Sequence, residues 1–308
     1  MEIADIAQFK STQKMLGELK LLTRSENTER TYLKGLNSFV QTMNIDNLDE
    51  FVEKIKSQTL NASEVHKDFV ISMANKNLAP KTVGAWSAAL RKFLLANGIE
   101  LKNTTQIKIY NIHEDTLPSR DDLKKILSSC SLRTKTIILL LSSSGLRVGE
   151  LRNLKISDID INSEPGVVRI KGLTAKERKS RTTFFSNEAK QALLQYLDHR
   201  KNNGHQLTDD SFMFTTNDGS QMSYQNLQFI LNNVFKKVSK KEGKRYGLHA
   251  HSLRKFFKTQ LISAGVPGPI VDRLAGHARY LSREYELYTE DQLKEWFLKG
   301  MKTVELLG

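Results

Sequence analysis

Two arginines, two histidines and a group of tyrosines stand in four short motifs of this 308-residue chain. Arg147 lies in GLRVGEL, just after a glycine turn and ahead of a helix. His251 and Arg254 lie in HAHSLRK, three residues apart, a spacing that puts both on one helical face. LAGH ends in His277, and ARYLSREYELYTEDQL follows with Tyr280, Tyr285 and Tyr288. Guanidinium groups hold anions, imidazoles move protons near neutral pH, and a phenol can serve as a nucleophile. Each motif alone has an ordinary structural reading. Arg147 and Glu150 suit an ion pair, His251 and Arg254 a helix surface, His277 a cap, and the tyrosines packing. Their order, with a basic β-hairpin between the first two, is what argues for a site.

The charge points to the same kind of substrate. Lysine and arginine number 47 against 34 acidic residues, a net of +13, of which residues 1–112 carry only +3. Residues 169–181 hold Arg169, Lys171, Lys176, Arg178, Lys179 and Arg181 against the single Glu177. Residues 236–258, which include Lys244 and Arg245, hold nine basic residues against Glu242 alone. Clusters of this kind suit a polyanion such as nucleic acid, because neutralising phosphates releases counterions. Gly172, Gly243 and Gly247 interrupt them, so they read as loops and turns rather than as an amphipathic helix lying on a membrane. Cys130 is the single cysteine, which excludes a disulfide framework and a cysteine-built zinc cluster. The densest apolar run, Ile137 to Leu141, is far too short to span a bilayer. MEIADIAQFK lacks the layout of a signal peptide. The expectation is a soluble, cytoplasmic protein of about two domains.

The elements that must position these residues are mostly helical. In SENTERTYLKGLNSFVQTM, Ser25 can cap a helix whose apolar stripe is Tyr32, Leu36, Phe39, Val40 and Met43. After the turn at Asn77 to Pro80, Val83, Trp86, Leu90, Phe93 and Leu94 share one face, and Lys81, Arg91 and Lys92 another. The polar stretch 111–122, with Pro118, reads as a linker, and Ser119 then caps DDLKKIL. A buried helix at TKTIILLLSSSG precedes LRVGELRNL, and two strands, GVVRIKG and SRTTFF, follow. Helices resume at NEAKQALLQYL, YQNLQFILNNVFKKV, HSLRKFFKTQLISAG and DQLKEWFLKGMKTV. The class is mainly α with a small β-sheet.

In this order the motifs resemble the tyrosine site-specific recombinases of the phage-integrase and Xer type, over nearly the whole chain. SENTERTY and TVGAWSAALRKF resemble the first and last helices of that family's helical core-binding domain. The resemblance implies that domain over residues 1–112, a linker at 113–118, and a mixed α/β catalytic domain over 119–308. It implies a two-domain clamp on double-stranded DNA, with core-binding helices in the major groove. It further implies a tetramer on two DNA sites, with room for accessory DNA-bending proteins. The tail around Trp296, Phe297, Met301 and Leu306 is then either a docking arm for a neighbouring protomer or ordinary core.

Carried over residue by residue, Arg147 and Arg254 match the family's two phosphate-holding arginines, and His251 and His277 its two histidines. A tyrosine hydroxyl attacks phosphorus to give a 3′-phosphotyrosyl ester, and neither metal nor ATP is required. The proton-donating lysine sits on the hairpin, where Lys171, Lys176 and Lys179 compete. Anchoring on TTFFSNEA favours Lys176, and anchoring on GVVRIKG favours Lys171. We take Lys176, because a hairpin tip tolerates extra residues. Tyr285 and Tyr288 lie eight and eleven residues after His277, on either side of the family's spacing; the position of Leu293 favours Tyr285. Lys171, Arg178, Lys179, Arg181, Lys81, Arg91, Lys92, Lys244 and Arg245 are the expected phosphate contacts. Lys255 stands where the family often has histidine. Two rivals are a type IB topoisomerase and a catalytically silent DNA-binding regulator.

Overall fold

The computed structural model describes residues 2–23, 26–102, 106–110, 116–172, 180–239, 241–242, 245–277 and 288–307. The chain divides into two units, Met1–Glu114 and Asp115–Gly308. Among the described residues no helix is long and apolar enough to cross a membrane.

The first unit is a helical bundle of α1 (Ile3–Ile6), α2 (Lys10–Leu22), α3 (Glu26–Met43), α4 (Leu48–Lys56), α5 (Ala62–Asn75) and α6 (Pro80–Ala96). Both expected apolar stripes face its core: Leu36, Phe39 and Val40 from α3, and Val83, Leu90, Phe93 and Leu94 from α6. Phe39 sits edge-on to Phe51 and Phe69 at 5.3 and 5.2 Å, a favoured aromatic geometry. Gly35 lets α3 and α6 approach closely. A Cβ there would lie 2.9 Å from that of Ala89. Asn47 and Asn61 cap α4 and α5 by accepting two backbone N–H bonds each. Ser25, expected to cap α3, lies outside the described residues.

The second unit is built on α8 (Leu132–Ser144), buried all round from Thr136 onward. Hydroxyls of Ser142, Ser143 and Ser144 bond back to the carbonyls of Leu139 and Leu140, which lets three polar residues sit in the core. Helices α10 (Asn187–Asn202) and α12 (Ala250–Ser263) pack directly on α8, and α7 (Arg120–Ser128) and α11 (Tyr224–Phe235) join the same buried core. As expected, Ser119 caps α7, in a reciprocal box with Asp122. An antiparallel sheet of β1 (Ile159–Asp160), β2 (Gly166–Ile170) and β3 (Arg181–Phe185) runs in that order. Val168 pairs with Thr183 in its register.

The two expected strands are β2 and β3. The brief pair β4 (Lys241–Glu242) and β5 (Arg245–Tyr246) falls in a segment that the sequence presents as basic loop. Further elements are α9 (Val148–Asn153), α13 (Gly268–Ala275) and α14 (Glu290–Val304). The tail packs on its own unit: Phe297, Val304 and Leu306 are buried, and the N–H groups of Leu306 and Leu307 donate to Glu188 at 2.6 Å.

Candidate active site

Arg147 is set by the end of α8. Gly145 closes that helix in the left-handed region (φ +65°), and a Cβ there would come within 2.4 Å of the Phe257 ring. Leu146 then enters the core, and Arg147 becomes the N-cap of α9. Its backbone N–H donates to Glu150 Oε2 at 2.8 Å and its Nη1 to Glu150 Oε1 at 3.0 Å. Its Nη2 donates to the carbonyl of Gly276 at 2.7 Å. The first arginine is thereby tied to the turn that presents His277.

Glu150 has a second arginine. Arg181, at the start of β3, donates Nη1 and Nη2 to the two Glu150 oxygens at 2.8 Å each, and Nε to the Leu274 carbonyl at 3.3 Å. Both side chains are buried. The expectation that Arg181 contacts phosphate is therefore corrected. A guanidinium locked two-pronged on a buried carboxylate cannot turn to DNA without breaking that pair. Burial pushes the Glu150 carboxyl up, but the bonds and charge of Arg181, then Arg147, outweigh it and hold the group below the ordinary range.

On α12, His249 is the N-cap, His251 is exposed and Arg254 is buried to 2 %. Arg254 Nη1 donates to the Gly145 carbonyl, two residues before Arg147. Lys258, one turn further, is on the same face. Its Nζ lies 2.7 Å from Asp272 Oδ1 and 3.1 Å from His277 Nδ1. His277 follows the left-handed Gly276 (φ +69°) that ends α13, and its N–H donates to the Asp272 carbonyl at 2.8 Å. Burial, then the charges of Arg254, Lys258 and Arg147, hold the His277 imidazole down at about 4 against the opposing pull of Asp272. Arg147, Arg254 and His277, from three distant parts of the chain, thus form one cluster of two guanidinium groups and a neutral imidazole.

The remaining expected residues divide. Lys176, Arg178, Lys179, Tyr285, Tyr280 and Lys244 lie outside the described residues, as does the side chain of Arg245. Lys171 is exposed and bonded to Asp158 at 2.8 Å, a contact that raises its ammonium above the ordinary value. Tyr288 is half-buried against the core of Phe184, Val271 and Phe297. It lines a cleft of about 470 Å³ with Arg169, Lys171, Arg273 and Glu290. Lys81 and Arg91 are exposed on α6. Lys92 is instead half-buried and bonded to Glu18 of α2, so it braces two helices. Lys258 and Asp272 escaped the sequence reading, although Lys258 stands seven residues after His251 and four after Arg254, on their helical face.

The sequence profile of the phage integrase family matches residues 119–294. Tyrosine recombinase XerC of Bacillus pumilus is 27% identical over 284 residues, covering 87% of this chain and 88% of its own. Tyrosine recombinase XerA of Pyrococcus horikoshii is 28% identical over 300 residues, covering 94% and 93%. Among solved structures, the Tn1549 transposon integrase in complex with transposon right end DNA superposes with a TM-score of 0.66 at 18% identity, covering 92% of this chain and 97% of that one. The XerH site-specific recombinase in a post-cleavage complex gives 0.60 at 19%, covering 94% and 89%. With its fold, its arginine–histidine cluster and more than half its length matched, the chain belongs to the phage integrase family, the tyrosine site-specific recombinases that cleave and rejoin DNA strands.

Proposed function

We propose that Arg147, Arg254, His251 and His277 surround the scissile phosphate, with Tyr285 as nucleophile and Lys176 as general acid. The observation that carries this reading is the meeting of Arg147, Arg254 and His277 around the Gly145 and Gly276 turns. Such a cluster of donors is suited to the extra charge of a pentavalent phosphorus transition state. The tyrosine oxygen bonds to phosphorus as the bond to the 5′ oxygen breaks, and Lys176 supplies the proton that turns the leaving group into a free hydroxyl. His251 assists transfer of the tyrosine proton. Religation runs the same steps in reverse from another strand's 5′ hydroxyl, and the ester conserves the bond energy, so no ATP is consumed. The engagement of Lys171 with Asp158 supports Lys176 over Lys171, and the packing of Tyr288 against the core supports Tyr285 over Tyr288.

Residues 1–112 would then bind DNA through the exposed Lys81 and Arg91, and residues 119–308 would add Lys171, Arg178, Lys179, Lys244 and Arg245, joined by the segment 113–118. Work as a tetramer on two sites, with accessory bending proteins where a site requires them, completes the reading. The test is covalent trapping on nicked suicide DNA in EDTA. Wild type and Tyr288→Phe should form a protease-sensitive adduct, and Tyr285→Phe none. No wild-type adduct on DNA that the protein binds would overturn the assignment.

A further inference from the structure

We propose that Lys258, held by Asp272, is a positioning residue that fixes His277 as the neutral tautomer with its proton on Nε2, so that His277 serves as a one-directional hydrogen-bond donor and not as an acid or base. The inference rests on the reading of His277 as a phosphate ligand, but its geometry stands by itself. A lysine ammonium has three donors and no acceptor. At 3.1 Å from Nδ1 it can only donate, so Nδ1 must offer its lone pair and the single imidazole proton must sit on Nε2. Lys258 is in turn oriented by Asp272 at 2.7 Å, and that carboxylate lies 3.8 Å from Nδ1, beyond bonding distance. The backbone bond from His277 N–H to Asp272 fixes the distance between the two residues on their shared turn.

The charges around the ring act in the same direction. Arg254 and Lys258 face it from α12, Arg147 from the start of α9, and Asp272 from α13. Arg181, on β3, is matched by Glu150. A second proton on Nδ1 would have to point at the Lys258 ammonium within a cluster of arginines. That agrees with an imidazole that stays neutral down to about pH 4. Lys258 also shares its helical face with His251 and Arg254, so one helix would supply the site with two ligands and the group that orients a third.

The test uses the full chain with ¹⁵N-labelled histidine, read by two-bond ¹H–¹⁵N correlations. Wild type should show His277 protonated on Nε2 and without a titration step between pH 5 and 8. Lys258→Met should move its ionisation upward from about 4, while burial, Arg254 and Arg147 still hold it below the ordinary imidazole value, and Lys258→Arg should keep the wild-type pattern. In adduct formation on suicide DNA, the ratio of Lys258→Met to wild-type rates should change as pH falls through the variant's own His277 ionisation, as read in the spectra. At pH 8 a loss on the order of tenfold should remain, from a ring no longer held in place. A wild-type His277 protonated on Nδ1, or one titrating near 6.5, would overturn the proposal whether or not the variants fold. So would a Lys258→Met protein with an unaltered ring. Failure of wild type to form any adduct would instead count against the proposed function, since the spectroscopic result does not depend on cleavage.

Discussion

Replacing Glu150 with glutamine tests how the two arginines are held. The carboxylate is 2 % exposed and accepts from Arg181 twice at 2.8 Å, from Arg147 Nη1 at 3.0 Å and from the Arg147 backbone at 2.8 Å. Glutamine has the same shape but carries no charge, and its amide nitrogen must face a guanidinium donor. Arg147 retains some solvent and the Gly276 carbonyl, whereas Arg181 is left buried with its charge unmatched. Removing one partner of a buried ion pair costs about 3–5 kcal/mol. The partial exposure of Arg147 argues for the lower end, about 3 kcal/mol at pH 7.

In urea that corresponds to a midpoint lower by on the order of 1 M for the second unit. The sign of the pH dependence follows from the depressed carboxyl. Its contribution is complete above the unfolded value of about 4.3 and is lost as pH falls through the lower native value. The gap between wild type and Glu150→Gln should therefore be full at pH 6–8 and close in acid. A gap below about 1 kcal/mol at pH 7, or one that persists undiminished in acid, would refute the reasoning.

Three further outcomes follow from the same geometry. Gly276→Ala must hold a side chain at φ +69°, with a Cβ 2.6 Å from Arg181 Nε. A thermal melt should show Tm lower by on the order of 5 °C, with cleavage falling further than DNA affinity. Lys176→Ala should abolish cleavage of ordinary DNA but regain it on a substrate with sulfur at the bridging 5′ position, since a thiolate leaves without a proton donor; Lys171→Ala should cleave both. Arg91→Ala, a change at an exposed site on α6, should reduce the salt slope of DNA binding by about 0.9 in a titration of affinity against salt concentration.

Much of this arrangement is written locally. The stripes through Phe39 and Phe93, the capping box at Ser119, the Gly145 turn and the spacing of His251 and Arg254 all act within a few residues, where periodicity and turn chemistry are informative. What sequence could not give was the partner of each cation. In a run of basic residues Arg181 looks no different from its neighbours, and only the fold shows a carboxylate 31 positions away that takes both of its Nη groups. Lys92 is read as a free cation for the same reason, with Glu18 another 74 residues distant. The two-residue strands β4 and β5 are shorter than any period that could announce them. The tail carries apolar residues equally suited to a neighbour's groove or to its own core, and its attachment to Glu188 is a tertiary contact.

The central claim is that Tyr285 becomes covalently joined to DNA at the site built by Arg147, Arg254 and His277. Digestion of the trapped protein–DNA adduct followed by mass spectrometry of the nucleotide-bearing peptide tests it most directly. The account predicts one modified peptide, carrying a 3′-phosphoryl nucleotide on Tyr285. Nucleotide on Tyr288, on another residue, or on none would contradict it.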